Sequence, residues 1–223
     1  MKKKIIGGGL LLIIIFALVC RIIYKDEFYF VRKPLTIEKV KIDRDKDNDG
    51  ILDMDDIIEG ARNEVENKTE YKSVYYDGGY PPDSEGVCTD VVWRALKNAG
   101  YNLKYEMDED IKKHTVDYAG VAGKPDPNID FRRVKNQYVY FQKYAQTLTT
   151  DIIPNGVNNL IQWQGGDIVV LKNCEHIAIV SDKRRRDGIP YIIHNASTIP
   201  KEEDKLFTWY KSGKLLAHFR YPK

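Results

Sequence analysis

Apolar residues recur at helical spacing in two stretches, which predicts two amphipathic helices. The first stripe is formed by Ile57, Ile58, Ala61 and Val65. The second lies within residues 89–99 and comprises Val91, Val92, Ala95, Leu96 and Ala99. Gly100 follows directly, and a glycine just after the last apolar position typically ends a helix.

The last third of the chain has the pattern of β-strands. Short runs rich in Ile and Val are separated by short polar connections, which favours an antiparallel meander. The central hairpin is expected to turn at the basic segment 183–188. The predicted strands are 167–171, 176–182, 191–195 and 215–221.

The N-terminal segment predicts a membrane anchor. Ile5–Cys20 contains no charged or strongly polar residue, and three lysines precede it. Sixteen helical residues span about 24 Å, and the flank through Ile23 brings this close to the roughly 30 Å hydrocarbon core. We expect residues 1–4 to be cytoplasmic, 5–23 to span the membrane, and 24–44 to form an external stalk. A signal peptide is the alternative interpretation.

Composition and charge narrow the functional classes. With 223 residues and 43% hydrophobic content, the chain can bury the core of about one domain. Residues 1–25 hold five basic side chains and no acidic one, which leaves 30 basic and 33 acidic residues after them. A slightly acidic globular part argues against nucleic acid as the main partner.

Residues 45–56 have the spacing of a calcium-binding loop. Acidic residues occupy loop positions 1, 3, 5, 9 and 12, and Gly50 occupies the turn position 6. The twelfth residue is Asp rather than Glu, so its carboxylate reaches one methylene less far. An acidic, solvated helix start is the alternative. The predicted ligands of a structural Ca²⁺ ion are Asp45, Asp47, Asp49, Ile51, Asp53 and Asp56.

Cys88 is the candidate nucleophile. It directly precedes the second predicted helix and shares a face with Val91 and Val92. A thiol at a helix N-terminus feels the positive end of the helix dipole, which is expected to lower its pKa below about 8.5. The main-chain N–H groups around Cys88 and Thr89 are suited to an oxyanion site.

Two histidines are candidates for the partners of this thiol. If Asp182 is paired with Gly188 across the central hairpin, His176 lies opposite His194 on one sheet face. His176 would then be the base and His194 the group that orients it, with Asn195 or Asp182 as alternative orienting residues. No catalytic cofactor is needed. His114 and His218 lack this context and are expected to be structural.

Other interpretations of these residues stay open at this point. In an oxidising exterior, Cys88 and Cys174 could form a disulfide, which would exclude catalysis. Cys88, Cys174, His176 and His194 could also supply four zinc ligands.

Four further residues are candidates for substrate binding. Tyr76 and Tyr80 lie in a glycine-rich loop before Cys88 and could wall a cleft. Asp130 and Arg132 could meet a charged substrate, although a structural salt bridge explains them as well.

Several motifs together resemble a known family. They are Gly86-Val87-Cys88-Thr89-Asp90-Val91-Val92, residues 130–136 beginning Asp-Phe-Arg-Arg, Trp163-Gln164-Gly165-Gly166-Asp167, residues 176–182 beginning His-Ile-Ala, and Ile193-His194-Asn195. Over residues 57–223 the chain resembles the bacterial domain-of-unknown-function family 1287. That family is similar, more distantly, to the NlpC-type cysteine peptidases of the papain-like fold. In those enzymes a Cys at a helix start, a Gly-Asp strand opening, a His at the next strand and a polar third residue follow in this order.

The resemblance implies an α+β, papain-like catalytic domain over residues 57–223, in which Cys88, His176 and His194 take the catalytic places. It also implies hydrolysis of peptide bonds in peptidoglycan. The resulting hypothesis is a membrane-anchored, outward-facing thiol hydrolase that cleaves an amide bond of wall peptide. The alternatives are a thiol acyl hydrolase or transferase acting on lipids, and a non-catalytic wall-binding module with a Cys88–Cys174 bridge.

Overall fold

The computed structural model describes residues 34–223. The predicted cytoplasmic tail 1–4, the anchor 5–23 and the first part of the stalk therefore lie outside the described residues. From residue 34 onward, none of the helices combines the length and the apolar character needed to cross a bilayer.

Helices fill much of the chain before residue 165. Both predicted amphipathic helices are present; the first starts at Asp53, four residues before its apolar stripe, and the second starts at Cys88 itself. The α-helices of the described chain are α1 Asp53–Glu66, α2 Cys88–Asn98, α3 Leu103–Lys113, α4 Val134–Tyr144, α5 Val157–Leu160 and α6 Leu206–Lys211.

The strands form one large antiparallel sheet and one small parallel pair, so the fold is mixed α and β. The strands are β1 Glu70–Tyr71, β2 Glu85–Gly86, β3 Gln146–Thr147, β4 Ile168–Leu171, β5 Ile177–Arg184, β6 Pro190–His194, β7 Lys201–Glu203 and β8 Leu215–Arg220. The small pair joins β1 to β2, and the large sheet has the order β3-β8-β4-β5-β6-β7. The predicted meander corresponds to β4-β5-β6 and is extended by β7, whereas β8 pairs with β4 on its other side.

The register of the central hairpin differs from the predicted one by two residues. Ile193 lies opposite Ile179, whereas the predicted register placed it opposite Ile177. The cause is that β5 runs on to Arg184, which pairs with Pro190, with an irregularity between Val180 and Arg184. His176 is therefore not directly opposite His194. A displacement of two residues preserves sheet faces, because side chains alternate with period two.

Helices α1 and α2 pack on each other and on β5. Their apolar stripes join alternate residues of the strands, including Ile177 and Ile179, in one buried cluster. The two helices approach closely at Gly60, where a Cβ would come within 2.6 Å of the Asn98 Cβ atom. Each large side chain buried in this cluster stabilises the fold by about 1.5–3 kcal/mol.

Residues 37–223 form one compact unit. The segment that precedes residues 45–56, the calcium-type loop, is part of this unit. Val40 N–H donates to the Gln164 side chain (3.2 Å), and the Gln164 amide donates to the Glu38 carbonyl (3.2 Å). The unit therefore starts about 20 residues before the predicted domain boundary at residue 57, and it includes the loop and the end of the predicted stalk.

Candidate active site

The start of α2 is held by a buried carboxylate. Asp90 accepts hydrogen bonds from Val87 N–H (2.7 Å) and from the Trp93 indole (2.7 Å). Arg132 adds a bidentate ion pair through Nε and Nη2, each 2.7 Å from an Asp90 oxygen. Both side chains are almost fully buried, and removing one partner of such a pair costs about 3–5 kcal/mol. This pair positions the turn that presents Cys88.

The four predicted substrate-binding residues have different surroundings. Each nitrogen of the Arg132 guanidinium has a protein partner, because this side chain also donates to the Val74 carbonyl (2.9 Å). Arg132 therefore fits the structural salt bridge rather than substrate binding. Asp130 is buried, accepts from Asp126 N–H (2.7 Å), and lines a cavity of about 410 Å³.

The two tyrosines belong to the loop that leads to β2. Tyr76 donates to Glu85 (2.6 Å), and burial together with that carboxylate raises the pKa of Tyr76 to about 12. Tyr80 is largely exposed and packs against Trp93 and Phe131, with ring centroids 5.0 and 5.6 Å apart. Tyr80 is therefore the member of the predicted set that offers an accessible aromatic surface.

The Cys88 thiol is buried at the start of α2. Burial raises its pKa to about 11, and the nearby charge of Asp90 acts in the same direction. The main-chain N–H groups of Ile177, Thr89 and Cys88 itself lower the pKa, but less than burial raises it. The expectation of a lowered thiol pKa is therefore wrong for this structure, because desolvation outweighs the helix terminus.

The thiol lies near the start of β5. The Ile177 N–H acts on the sulfur, and Ile177 directly follows His176. Tyr71 in β1 is also close, because the charge of the Cys88 thiolate contributes to the raised pKa of Tyr71, after burial of the phenol. Neither His176 nor His194 forms a hydrogen bond with the thiol in the described structure.

The two histidines meet directly. His176 Nε2 lies 2.6 Å from His194 Nδ1, and His194 Nε2 lies 2.9 Å from Glu203 Oε1. Glu203 pairs with Ile192 across β6 and β7, so it shares a sheet face with His194, two residues further on. Trp209 in α6 packs edge-on against both imidazoles, with centroid distances of 5.6 and 5.3 Å.

The Glu203 carboxylate determines which nitrogen carries the hydrogen in each of the two imidazoles. Glu203 can only accept, so His194 Nε2 carries the hydrogen and donates to it. In neutral His194, Nδ1 then has the free lone pair, so His176 Nε2 must donate to it. The remaining nitrogen of neutral His176, Nδ1, is therefore unprotonated and has no hydrogen-bond partner within residues 34–223.

Both imidazoles favour the neutral form. Burial first, and then the neighbouring His194, lower the pKa of His176 to about 3. Burial also lowers the pKa of His194, although the hydrogen bond to Glu203 acts against this. Because the thiol pKa is far above that of His176, the resting pair is a neutral thiol and a neutral imidazole.

Both alternative orienting residues are engaged elsewhere. The Asn195 amide donates to the carbonyls of Thr69 (3.2 Å) and Gly86 (3.1 Å), which ties the loop before Cys88 to the sheet. Asp182 bonds to Arg62 at the opposite end of β5. Neither side chain forms a hydrogen bond with His176 in the described part of the chain.

The other predicted uses of the cysteines are not realised in the structure. Cys88 and Cys174 are both free thiols, so the disulfide that the sequence allowed is not formed. Within residues 34–223, the only His, Cys, Asp or Glu side chains that cluster closely enough to hold a metal ion are acidic ones, so the two cysteines and two histidines do not assemble a zinc site.

Two site residues were not identified from the sequence. Glu203 and Trp209 complete the histidine site. A strand predicted over residues 201–203 would have placed Glu203 on the same sheet face as His194. These residues have no apolar alternation, so β7 was not predicted.

The predicted calcium ligands divide into two groups. Carboxylate oxygens of Asp45, Asp47 and Asp49 lie within 4.8 Å of one another. Asp53 is turned away from them, since its oxygens accept from Lys46 N–H (2.7 Å) and from the Tyr101 hydroxyl. Asp56 is buried in the first turn of α1, where burial first, and then the charge of Asp49, raise its pKa to about 6.

Comparison with known proteins gives a family and one uncharacterised relative. The family described as "Domain of unknown function (DUF1287)" matches residues 58–221. The Escherichia coli K12 protein YijF, described as uncharacterized, is 36% identical over 174 residues, covering 74% of this chain and 80% of YijF. No solved structure matches the chain. The calcium-type loop precedes the matched region.

Proposed function

The chain belongs to the DUF1287 family, and we propose that it is a thiol hydrolase with a papain-like, NlpC-type domain that cleaves an amide bond in cell-wall peptide. Cys88 is the nucleophile, His176 the base, and His194 the residue that orients His176. Glu203 is a positioning residue that acts through His194.

The hydrogen-bonded series Glu203–His194–His176 is the observation that carries this proposal, because it assigns an unprotonated Nδ1 to His176. Glu203 and His194 together fix the tautomer of His176, so that a lone pair remains on the nitrogen not used for orientation. A base needs this arrangement to accept a proton from a thiol. The neighbouring Ile177 N–H, which faces the Cys88 sulfur, supports the assignment of that thiol as its partner.

The proposed reaction begins from the neutral pair. The Cys88 sulfur attacks the amide carbonyl while its proton passes to His176 Nδ1. The amine leaves with that proton, and a thioester remains on Cys88. His176 then takes a proton from water, whose oxygen attacks the thioester, and the thiol and the carboxylic acid are released. Main-chain N–H groups at Cys88 and Thr89 are suited to the developing oxyanion.

The substrate class rests on the resemblance to NlpC-type enzymes. The order Cys88, Gly166-Asp167, His176, His194 along the chain supports it, as does the packing of α2 on an antiparallel sheet. Peptidoglycan lies outside the cytoplasmic membrane, which agrees with the predicted anchor at residues 5–23. We therefore propose that the domain faces outward from the membrane and that peptidoglycan is its partner.

Digestion of purified peptidoglycan by the full-length protein tests the proposal. New amino groups and their peptides are measured by mass spectrometry for the wild type, Cys88→Ser and Cys174→Ser. We expect release by the wild type and by Cys174→Ser, and at least a 1,000-fold slower release by Cys88→Ser, because the serine hydroxyl lacks the nucleophilicity of the thiol. Equal release by Cys88→Ser would overturn the assignment of the nucleophile.

The same preparation distinguishes the lipid alternative. Membrane lipids are incubated with the wild type and with Cys88→Ser, and fatty acids or transferred acyl chains are measured. Acyl release that depends on Cys88, without amino-group release from peptidoglycan, would replace the amidase by a lipid acyl hydrolase. Release of neither product, with the protein folded, would favour a wall-binding module.

A further inference from the structure

We propose that residues 45–56 bind one Ca²⁺ ion through the carboxylates of Asp45, Asp47, Asp49 and Asp56 and the main-chain oxygen of Ile51. This site lies outside the family match and is independent of the proposed hydrolase activity. Hard oxygen ligands at alternate loop positions, closed by an acidic residue at position 12, are the arrangement that Ca²⁺ requires.

Asp56 is the observation that points to a ligand. Asp56 is only 3% exposed, and its Oδ2 atom is buried with no hydrogen-bond partner among the described residues. A buried carboxylate oxygen without a partner costs several kcal/mol, so native structures rarely keep one without a compensating group. Asp56 occupies loop position 12, from which a carboxylate closes a calcium loop onto the ligands at positions 1, 3 and 5. A divalent cation there satisfies the oxygen and offsets the crowded negative charge.

The structure changes the predicted ligand set at one position. Asp53 fills loop position 9, but both of its oxygens are occupied by Lys46 N–H and the Tyr101 hydroxyl. Position 9 often reaches the ion only through water, so its loss from the direct ligands is compatible with binding. Asp53 instead fastens the loop to Tyr101, three residues after the end of α2.

The loop contacts the end of the helix that begins with Cys88. The Asn98 amide donates to the Asp56 carbonyl (2.9 Å), and a Cβ on Gly100 would come within 2.9 Å of the Asp47 Cβ atom. Gly100 has a positive φ of 77°, which suits a residue without a side chain. Ca²⁺ bound by this loop would therefore stabilise α1 and the C-terminal end of α2 together.

Calcium titration of the full-length, EDTA-treated protein tests this site. Isothermal titration and thermal melting are measured for the wild type, Asp56→Asn and Asp55→Asn. Asp55 is the matched control, because it is adjacent to Asp56 but is exposed and paired with Lys39 (2.5 Å). We expect one Ca²⁺ per wild-type chain with a higher melting temperature, the same for Asp55→Asn, and at least tenfold weaker binding for Asp56→Asn.

The melting curves separate lost binding from lost folding. Asp56→Asn removes a buried charge from among like charges, so its cation-free form should melt at the same or a higher temperature than the wild type, yet gain nothing from Ca²⁺. If that variant fails to fold, a substitution at the exposed Asp47, Asp47→Asn, replaces it, with the same loss of affinity expected. No heat and no melting shift with Ca²⁺ for the wild type would overturn the proposal, as would equal affinity of Asp56→Asn and Asp55→Asn.

Discussion

Two of the imidazole–carboxylate sites within residues 34–223, those of His218 and His194, differ in what their nitrogens contact. His218 is completely buried; its Nδ1 lies 2.8 Å from the Thr149 carbonyl and its Nε2 lies 3.0 Å from Asp167. Asp167 is also held by Arg220, and Trp163 stacks on the imidazole with a centroid distance of 3.8 Å. In the other site, Glu203 and His194 leave His176 half-buried with one nitrogen free.

This difference separates a structural histidine, His218, from the proposed base, His176. Both nitrogens of His218 are used to tie β4, β8 and the segment after β3 together, so nothing remains for a substrate proton. His176 uses one nitrogen for orientation and keeps a lone pair on the other, beside the strand start that faces Cys88. The presence of a His–carboxylate contact alone would not distinguish the two sites; the free nitrogen does.

Replacing each histidine by asparagine gives the largest expected contrast. His176→Asn should lower peptidoglycan hydrolysis by about 100- to 10,000-fold, because general-base catalysis contributes a factor of this size. His218→Asn should retain hydrolysis but lower the free energy of unfolding by about 2 kcal/mol, because it leaves a buried acceptor without its partner. Both are measured by amino-group release and by denaturant unfolding. Hydrolysis that survives His176→Asn and disappears with folded His218→Asn would reverse the assignment.

Substitution of Glu203 gives a smaller effect. Glu203→Ala removes the acceptor that fixes both tautomers, and it should lower kcat about 10-fold with little change in KM. Glu203→Gln should recover most of this loss, because its amide oxygen can accept the same hydrogen bond. Recovery by the conservative variant would not be expected of a purely electrostatic role.

The neighbouring carboxylate provides the control for Glu203. Glu202 is on the other face of β7, where it bonds to Arg62 (2.7 Å) and Ser181. Glu202→Ala therefore removes a carboxylate from the same strand without touching His194, and it should leave kcat unchanged. Equal losses in Glu202→Ala and Glu203→Ala would mean that the strand, rather than the tautomer, matters.

Features governed by local periodicity could be predicted from the sequence. The helix at Cys88 and the strands around His176 and His194 follow from apolar spacing, and the alternation of strand faces put both histidines on one side even though the register was displaced by two residues. A two-residue error is harmless for this purpose, whereas a one-residue error would have separated them.

Features that depend on distant partners could not be predicted. The raised pKa of Cys88 results from burial by the assembled domain, which the local helix dipole does not reveal. The sequence makes Arg132 a candidate for substrate binding, because it does not reveal that Arg132 pairs with Asp90, 42 residues away. Likewise, the Tyr101 hydroxyl donates a hydrogen bond to Asp53, which lies 48 residues earlier in the chain. Glu203 lies on a three-residue edge strand that has no apolar pattern.

The most direct test of the account is to identify the acyl group that forms on Cys88. The full-length wild-type protein is mixed with cell envelopes that contain both peptidoglycan and membrane lipid and is quenched in acid during turnover, and its peptides are mapped by mass spectrometry. The account predicts a mass increase on the Cys88 peptide that equals an acyl fragment of wall peptide, with Cys174 unmodified. A fatty-acyl adduct on Cys88 would contradict the proposed substrate, and a wall-peptide adduct on Cys174 alone would contradict the proposed nucleophile.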